Sequence, residues 1–379
     1  MYKKIFAVCF LLFCGSVFIK MQFYFSDEKI NIFECDDKET LLESAFPYGD
    51  NLKEVYGLSN RVISPNEKIS GNVVTIKDKN GYLETINTVD IKVINKAKEK
   101  IVELNTICNL NGKKFSFIYY PSKTNSRTRP TEYGINTNYE EIRSDFLLYL
   151  DMNDVNYLDI RKMLEEDGYD VKDIFYKTDH HWKTTAGFYA ARSIADYLNR
   201  EYGWTLNTTA LDKEKFIFKT YQNLWFGETG RSLSRTWVNT LDDFIQITPN
   251  YETFISLSYP RGKKISGDFS IMVDDSKYNE NIDYYTYSAH YSYAKGMESP
   301  MTYHNNLSGK DGKKILLVKD SFSVVVIPFL ILETSDITVW DMRVGATKNG
   351  LYNYIKENDF DVVLLAYTDF WEETMWDFN

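Results

Sequence analysis

The chain reads as an α/β protein, a three-layer α/β/α sandwich with a partly β insertion, carried behind an N-terminal signal anchor. Three observations predict this. A helical pattern from about Val89 to Asn109 is followed by the β-run Lys114–Tyr120 and a polar loop, the alternation of an α/β sheet. From Lys314 onward, three short apolar runs each end in polar residues, as buried parallel strands do. Between these regions, residues 205–307 lose the alternation and become rich in Tyr, Asn, Asp and Gly.

Lys3 and Lys4 precede a mostly apolar run from Ile5 to Ile19, after which Lys20, Asp27 and Glu28 restore polarity. That is the length of a secretory h-region and short for a bilayer span. No small-x-small cleavage site follows, and with Met21 to Phe25 added and Lys20 snorkelling the segment just crosses. Residues 1–25 are therefore read as an uncleaved signal anchor, with a cleaved signal peptide as the alternative. Lys3 and Lys4 stay cytoplasmic, and residues beyond about 26 are exported. The destination is the outer face of the cytoplasmic membrane or, after cleavage, a secreted or periplasmic form. Phe13 before Cys14 argues against lipoprotein processing. Cys9 and Cys14 fall in the anchor, which leaves Cys35 and Cys108 as a weakly supported disulfide pair.

Residues 26–379 are read as one domain. Its first part, to about residue 60, has little periodicity. Arg61 to Thr88 carries short β-like runs and the Asn80-Gly81 turn signal. In the helix that follows, Ile91, Ile94, Ala97, Ile101, Leu104 and Cys108 recur near a 3.6 period, and Asn111-Gly112 stops it. Residues 139–150 and 157–166 read as helices. Lys177-Thr178-Asp179-His180-His181-Trp182-Lys183 holds two of the four histidines and leads into a helix from about Thr184 to Tyr202. The elaboration at about 205–307 includes the β-like runs Phe244–Ile247 and Phe269–Val273. Then come the strands Ile315–Val318, Ile337–Trp340 and Val362–Ala366, ending in Lys319-Asp320-Ser321, Asp341-Met342-Arg343 and Tyr367-Thr368-Asp369. A buried helix from Val324 to Leu332, interrupted at Pro328, follows the first, and a helix near Lys348–Lys356 precedes the third.

Composition narrows the function. Of 379 residues, 44% are hydrophobic and 26% charged, the balance of a folded chain. A net charge of −10 argues against a nucleic-acid surface, because phosphate contacts need clustered Lys and Arg. The 29 tyrosines and 24 phenylalanines suit a sugar-binding cleft as well as ordinary core packing.

In open α/β sheets the ligand crevice lies at the carboxyl ends of the strands. Ser321 falls there, at a strand-to-helix junction where a free backbone N–H favours an oxyanion. A serine hydroxyl needs a base, and the base needs an orienting carboxylate. Asp179 and His181, two apart, face one side of an extended segment and His180 the other, which makes His181 the base and Asp179 its orienter. An Asp-Ser pair before a helix is also an ordinary N-cap. A metal held by Asp179 and the adjacent histidines is the lesser alternative, and His290 and His304 add no ligand spacing.

Thr178-Asp179-His180-His181-Trp182 followed by an Ala/Gly-containing helix resembles the signature of the bacterial DHHW family. The later Lys319-Asp320-Ser321-Phe322, Pro328-Phe329-Leu330, Asp341-Met342-Arg343 and the Val362 strand resemble that family's C-terminal half. That family is in turn similar to the SGNH-hydrolase-like domains of alginate O-acetyltransferases. The resemblance covers about residues 90–379 and implies a flavodoxin-like (SGNH-hydrolase-like) sheet with Asp179, His181 and Ser321 as the triad. Lys319 stands where that pattern usually has glycine, so the oxyanion hole departs from that of ordinary esterases. Arg343 and Lys123 are further candidates for the active site, and His180 and Trp182 for substrate or oxyanion contacts. The resemblance further implies acetyl transfer to a cell-envelope or secreted polysaccharide, with a membrane-bound O-acyltransferase as acetyl supplier and no cofactor. The alternatives are a carbohydrate O-acetyl esterase and a non-catalytic polysaccharide-binding or scaffold protein.

Overall fold

The structure is a computed structural model, and it describes residues 12, 14–21, 49–63, 67–70, 73–86, 90–123, 139–170, 173–278, 282–295, 298–309, 312–344, 350–368 and 373–378. Most of the anchor segment, Cys35 and Asp369 lie outside them. Among the described residues no helix is long and apolar enough to cross a membrane. The chain divides into two compact units, Met1–Pro65 with Ser232–Asn239, and Asn66–Arg231 with Thr240–Asn379.

In the first unit, the stretch expected to lack periodicity contains a helix, Gly49–Ile63. It packs on the short helix Arg235–Val238, whose N-cap is Ser234. The Glu54 carboxylate accepts from the N–H groups of Arg235 and Thr236. Gly57 is required by close approach, because a Cβ there would fall 1.7 Å from Ser234 Oγ.

The second unit holds a three-stranded antiparallel sheet, β1 (Glu67–Ser70), β2 (Val73–Lys77) and β3 (Leu83–Ile86). Helix α1 (Ile91–Leu110) follows, capped by Asp90, then β4 (Lys114–Tyr119) and α2 (Tyr139–Met152). Residues 157–166, expected to be one helix, form strand β5 (Tyr157–Asp159) and helix α3 (Ile160–Glu166). Asp159 ends the strand and caps the helix, so one residue serves both elements and hides the break from a periodicity count. Helix α4 (Thr184–Tyr202) stops at Gly203, which adopts the left-handed conformation with φ +65°.

The elaboration supplies β6 (Phe216–Trp225) and β7 (Asp242–Pro249), which pair with each other, then β8 (Ile255–Ser258), β9 (Lys264–Gly267) and β10 (Met301–Asn305). Phe269–Met272, expected as β, is a 3₁₀ turn capped by Asp268. Last come β11 (Lys314–Lys319), the short helix α5 (Ile327–Leu330), β12 (Asp336–Trp340), α6 (Gly350–Glu357) and β13 (Val362–Tyr367). Pro328 does not interrupt a helix. It sits in the first turn of α5, where its missing N–H costs nothing, and Ser321–Val325 before it is a 3₁₀ turn.

The main sheet runs β5-β4-β13-β11-β12-β10-β8-β9, with β5 to β12 parallel and β10, β8 and β9 added antiparallel at one edge. Its central strands are buried on both faces. Ile315, Leu317, Val362 and Leu364 pack towards α4 through Phe188, Ala191 and Ile194. Leu316, Val318, Val363 and Leu365 pack towards α1, α2 and α6 through Ile101, Leu104, Phe146 and Ile355. Each such side chain contributes about 1.5–3 kcal/mol by leaving water. This is the expected three-layer α/β/α sandwich, and Cys108 lies free and buried within it.

Candidate active site

The carboxyl ends of β11, β12 and β13 are tied together by buried polar groups. Asp320 caps the turn after β11 by accepting from Phe322 N–H (2.9 Å), and its other oxygen accepts from Thr368 N–H and Oγ beyond β13 (2.8 and 2.9 Å). Burial raises its pKa. Lys319, almost wholly buried, donates to Asp341 Oδ2 at 2.9 Å, and Arg343 grips both Asp341 oxygens from Nε and Nη2. Burial works against the charge on Asp341, but Arg343 and Lys319 pull its pKa down to about 2. The strand ends therefore form a rigid floor, and Ser321 begins the 3₁₀ turn standing on it.

The Lys177–Lys183 segment is a turn rather than an extended strand. Asp242 on β7 accepts from Lys177 N–H (2.6 Å), Thr178 N–H (2.7 Å) and Thr178 Oγ (2.6 Å), and Tyr176 N–H and Lys183 N–H close the turn at its base. Thr178 Oγ accepts from Gly227 N–H. A Cβ on Gly227 would lie 2.3 Å from that of Asp179, so only glycine lets this strand exit approach the turn. Lys123 donates to the carbonyls of Lys177 and Asp179 at 2.9 and 2.8 Å. Its ammonium buttresses the turn from behind.

The turn delivers a connected line of side chains. Asp179 Oδ1 accepts from His181 N–H (2.8 Å) and His181 Nδ1–H (2.6 Å), while Oδ2 accepts from Glu228 N–H (2.5 Å). His181 Nε2 lies 2.7 Å from Ser321 Oγ and accepts its proton. Asp179 and His181 are fully enclosed, and Ser321 is 6% exposed. Burial opposes the charge on Asp179, but the neighbouring rings of His181 and His180, together with the hydrogen bonds from His181, hold the carboxyl well below its usual range. Burial holds the His181 imidazole well below its ordinary value, so the resting pair is carboxylate and neutral ring.

The remaining sequence candidates divide. His180 points outward, 47% exposed at its side chain, with its ring 3.9 Å from that of His181. Arg343 is exposed as a whole residue, and its charge only partly offsets the burial that raises the pKa of Asp320 and of Tyr291. Trp182, expected to contact substrate or an oxyanion, instead lies wholly inside, donating to the Phe322 carbonyl at 3.0 Å and packing on Tyr120. It has no face open to a ligand because Tyr120 and Phe322 pack against its ring.

Donor atoms of Asp179, His180 and His181 lie within 4.8 Å of one another. Two of the three side chains are already spent, since both Asp179 oxygens and both His181 nitrogens hold hydrogen bonds. A cavity of about 440 Å³ lined by Tyr251, Asn305 and Glu333 opens at the opposite, amino-terminal edge of β11 and β12. It is roughly a strand length, ~20 Å, from Ser321.

Sequence reasoning missed His290, Tyr291 and Glu228. His290 is fully buried, donates from Nε2 to the Ser321 carbonyl (2.9 Å) and stacks on His181 at 3.9 Å. Tyr291 stands edge-on to His181 at 5.9 Å, with burial pushing its phenol up to about 12 and a Ser321 hydrogen bond opposing. All three lie where the chain carries no periodic pattern, and Glu228 takes part through its backbone, which no side-chain motif reports.

Fold and site together define an SGNH-hydrolase-like α/β protein with a serine, a histidine and an aspartate in hydrogen-bonded line. Residues 87–253 match the family model described as "SGNH hydrolase-like domain, acetyltransferase AlgX". The structure is similar to that of Bacillus cereus PatB1, with TM-score 0.64 and 19% identity over 81% of this chain and 100% of that one. The same protein with a sulfonyl adduct aligns at TM-score 0.64 and 17% identity, over 83% and 99% of the two chains. A DHHW family protein from Eubacterium siraeum aligns at TM-score 0.56 and 16% identity, over 79% and 91%. The likeness expected from the DHHW and KDSF motifs is thus found. No curated protein matches the sequence.

Proposed function

We propose that this chain is an exported serine-dependent acyl transferase that O-acetylates a cell-envelope or secreted polysaccharide. The observation that carries the reading is the Asp179–His181–Ser321 line, with hydrogen bonds of 2.6 and 2.7 Å across 140 positions of sequence. Ser321 Oγ attacks the carbonyl carbon of an acetyl ester as its proton passes to His181 Nε2. The tetrahedral oxyanion forms beside the Ser321 N–H at the open start of its turn, where Phe322 N–H is already committed to Asp320. Collapse breaks the C–O bond to the donor alkoxide, which takes the proton from His181. An acceptor hydroxyl then gives its proton to His181 and attacks the acetyl-serine, restoring Ser321. Asp179 keeps the Nδ1–H tautomer throughout.

The family model's description supports acetyl transfer, and the resemblance of the motifs to the domains of alginate O-acetyltransferases supports a polysaccharide acceptor. The apolar run Ile5–Ile19 behind Lys3 and Lys4 supports export, and a membrane-bound O-acyltransferase is the proposed source of acetyl groups. The sulfonyl adduct on Bacillus cereus PatB1 suggests a direct test. A sulfonyl fluoride should transfer its sulfonyl group to Ser321 Oγ, with S–O formation, S–F cleavage and the proton leaving by His181. Intact mass should show one adduct, placed on Ser321 by peptide mapping. Labelling elsewhere, or none, overturns the nucleophile assignment. Incubation with an aryl acetate and oligosaccharides, read by mass spectrometry, separates transfer from hydrolysis: acetylated sugar supports the transferase, and free acetate alone supports the esterase.

The site also sets the acid limb of the pH profile. Because burial depresses His181, its protonation, which removes the base, should begin only below the ordinary histidine value of about 6.5. kcat/KM for a neutral ester should therefore hold level from about pH 8 down to about 6.5 and fall below that. A limb centred above pH 7 would mean that another group is the base.

A further inference from the structure

We infer that His290 is a positioning residue for Ser321, holding the nucleophile's carbonyl through its Nε2–H while presenting a neutral ring face to His181. The inference rests on the acyl-transfer reading and adds a residue from the elaboration to the strand-end site.

The geometry singles this histidine out. Its Nε2 lies 2.9 Å from the Ser321 carbonyl oxygen, and a carbonyl can only accept, so Nε2 carries the proton. The tautomer is thereby fixed with the lone pair on Nδ1, and that nitrogen is buried with no partner among the described residues. A histidine kept only for packing would ordinarily have both nitrogens satisfied. Its ring lies 3.9 Å from His181 with 20° between the planes, and Trp225 stacks on it at 6.3 Å and 9°. The neighbours that bear on its charge come from two segments: Asp179 and His180 on the turn before α4, and Lys319 at the end of β11. Burial dominates among them and keeps the ring uncharged.

Neutrality matters because His181 must become an imidazolium each time it takes the Ser321 proton. A second cation at 3.9 Å would oppose that step, and a neutral, polarisable ring does not. The hold on the carbonyl matters because it fixes the Ser321–Phe322 peptide at the start of the 3₁₀ turn, and with Phe322 N–H held by Asp320 it seats the Cα and Cβ from which Oγ reaches His181. The segment bearing His290 is rigid enough for this. Tyr293 OH donates to the Ile247 carbonyl and accepts from its N–H on β7, and Ser292 O accepts from Asp274 N–H.

Two substitutions in the full chain separate the possibilities. His290→Phe keeps a stacked ring and removes the donor, whereas His290→Gln removes the ring and keeps a donor. For an aryl acetate, His290→Phe should lose about 10²-fold in kcat with little change in KM, the scale expected when a nucleophile is misplaced by about 1 Å. His290→Gln should recover most of that loss, and sulfonyl labelling of Ser321 should follow the same order. Wild-type kcat in His290→Phe, a loss confined to KM, or equal loss in both variants overturns the role. Histidine ¹⁵N NMR of the unmodified protein adds a readout that needs no variant. It should show one ring as the neutral Nε2–H tautomer at pH 5, and a charged or Nδ1–H ring at that position overturns the inference. Ser321→Ala run in parallel keeps the two readings apart. If that variant is inactive while His290→Phe turns over normally, only the positioning role fails; if it is fully active, the acyl-transfer reading itself fails.

Discussion

Ser321→Ala should lower turnover of an aryl acetate by about 10³-fold or more while leaving the fold in place. The size of the loss follows from what Oγ does: without it no covalent intermediate forms, and His181 has only water to activate. Residual activity would come from the oxyanion donors and from binding alone. The fold should survive because the two contacts that seat the residue do not use its side chain. Asp320 caps the turn through Phe322 N–H, and His290 holds the Ser321 carbonyl. The lost Oγ–His181 bond costs roughly 1–3 kcal/mol, since a buried Nε2 is left without its donor. Circular dichroism and a denaturant midpoint check the folding, and the same preparation should no longer take up the sulfonyl group. A folded variant with wild-type turnover would end the serine mechanism.

How far this site could be read from the sequence depended on the kind of signal each residue leaves. The strands Ile315–Val318 and Val362–Ala366 were legible because both faces of a central parallel strand are buried, which forces unbroken apolar runs. Ser321 was legible by position, at the end of such a run. Asp179 and His181 were legible through their spacing, although the reason offered was incomplete. The pair meets in a turn where Asp179 accepts from the backbone as well as the ring of His181, rather than along a flat extended segment. The boundary at Asp159 was hidden because a three-residue strand is too short to establish a period of two. Trp182 was misjudged because an aromatic beside a catalytic motif looks the same in sequence whether it faces a cleft or the core. His290 could not be found at all: its partner is a main-chain carbonyl, and its segment reaches the site only once β10 joins the sheet edge beside β12.

Asp179→Asn should cost about 10⁴-fold in kcat, more than its single-atom change suggests. Asp179 accepts three N–H groups, two from His181 and one from Glu228, and a carboxylate can do this because both oxygens are acceptors. Asparagine has one acceptor oxygen, so its NH₂ must oppose a donor whichever way it turns. Facing Glu228, it meets a backbone N–H that cannot move out of the way, because Gly227 beside it is packed against Asp179. Facing His181, it makes Nδ1 the acceptor and drives the proton to Nε2, which can then no longer receive the Ser321 proton. The second arrangement relieves the contact with the ring and leaves only the His181 backbone N–H opposed, so it is the one expected, and the variant keeps its shape and loses its base. Two measurements distinguish this from simple unfolding. Histidine ¹⁵N NMR should report the switched tautomer at His181, and KM should stay near the wild-type value while kcat collapses. Unchanged kcat in a folded Asp179→Asn variant would show that Asp179 only shapes the turn, and that the tautomer of His181 is set by something other than its carboxylate.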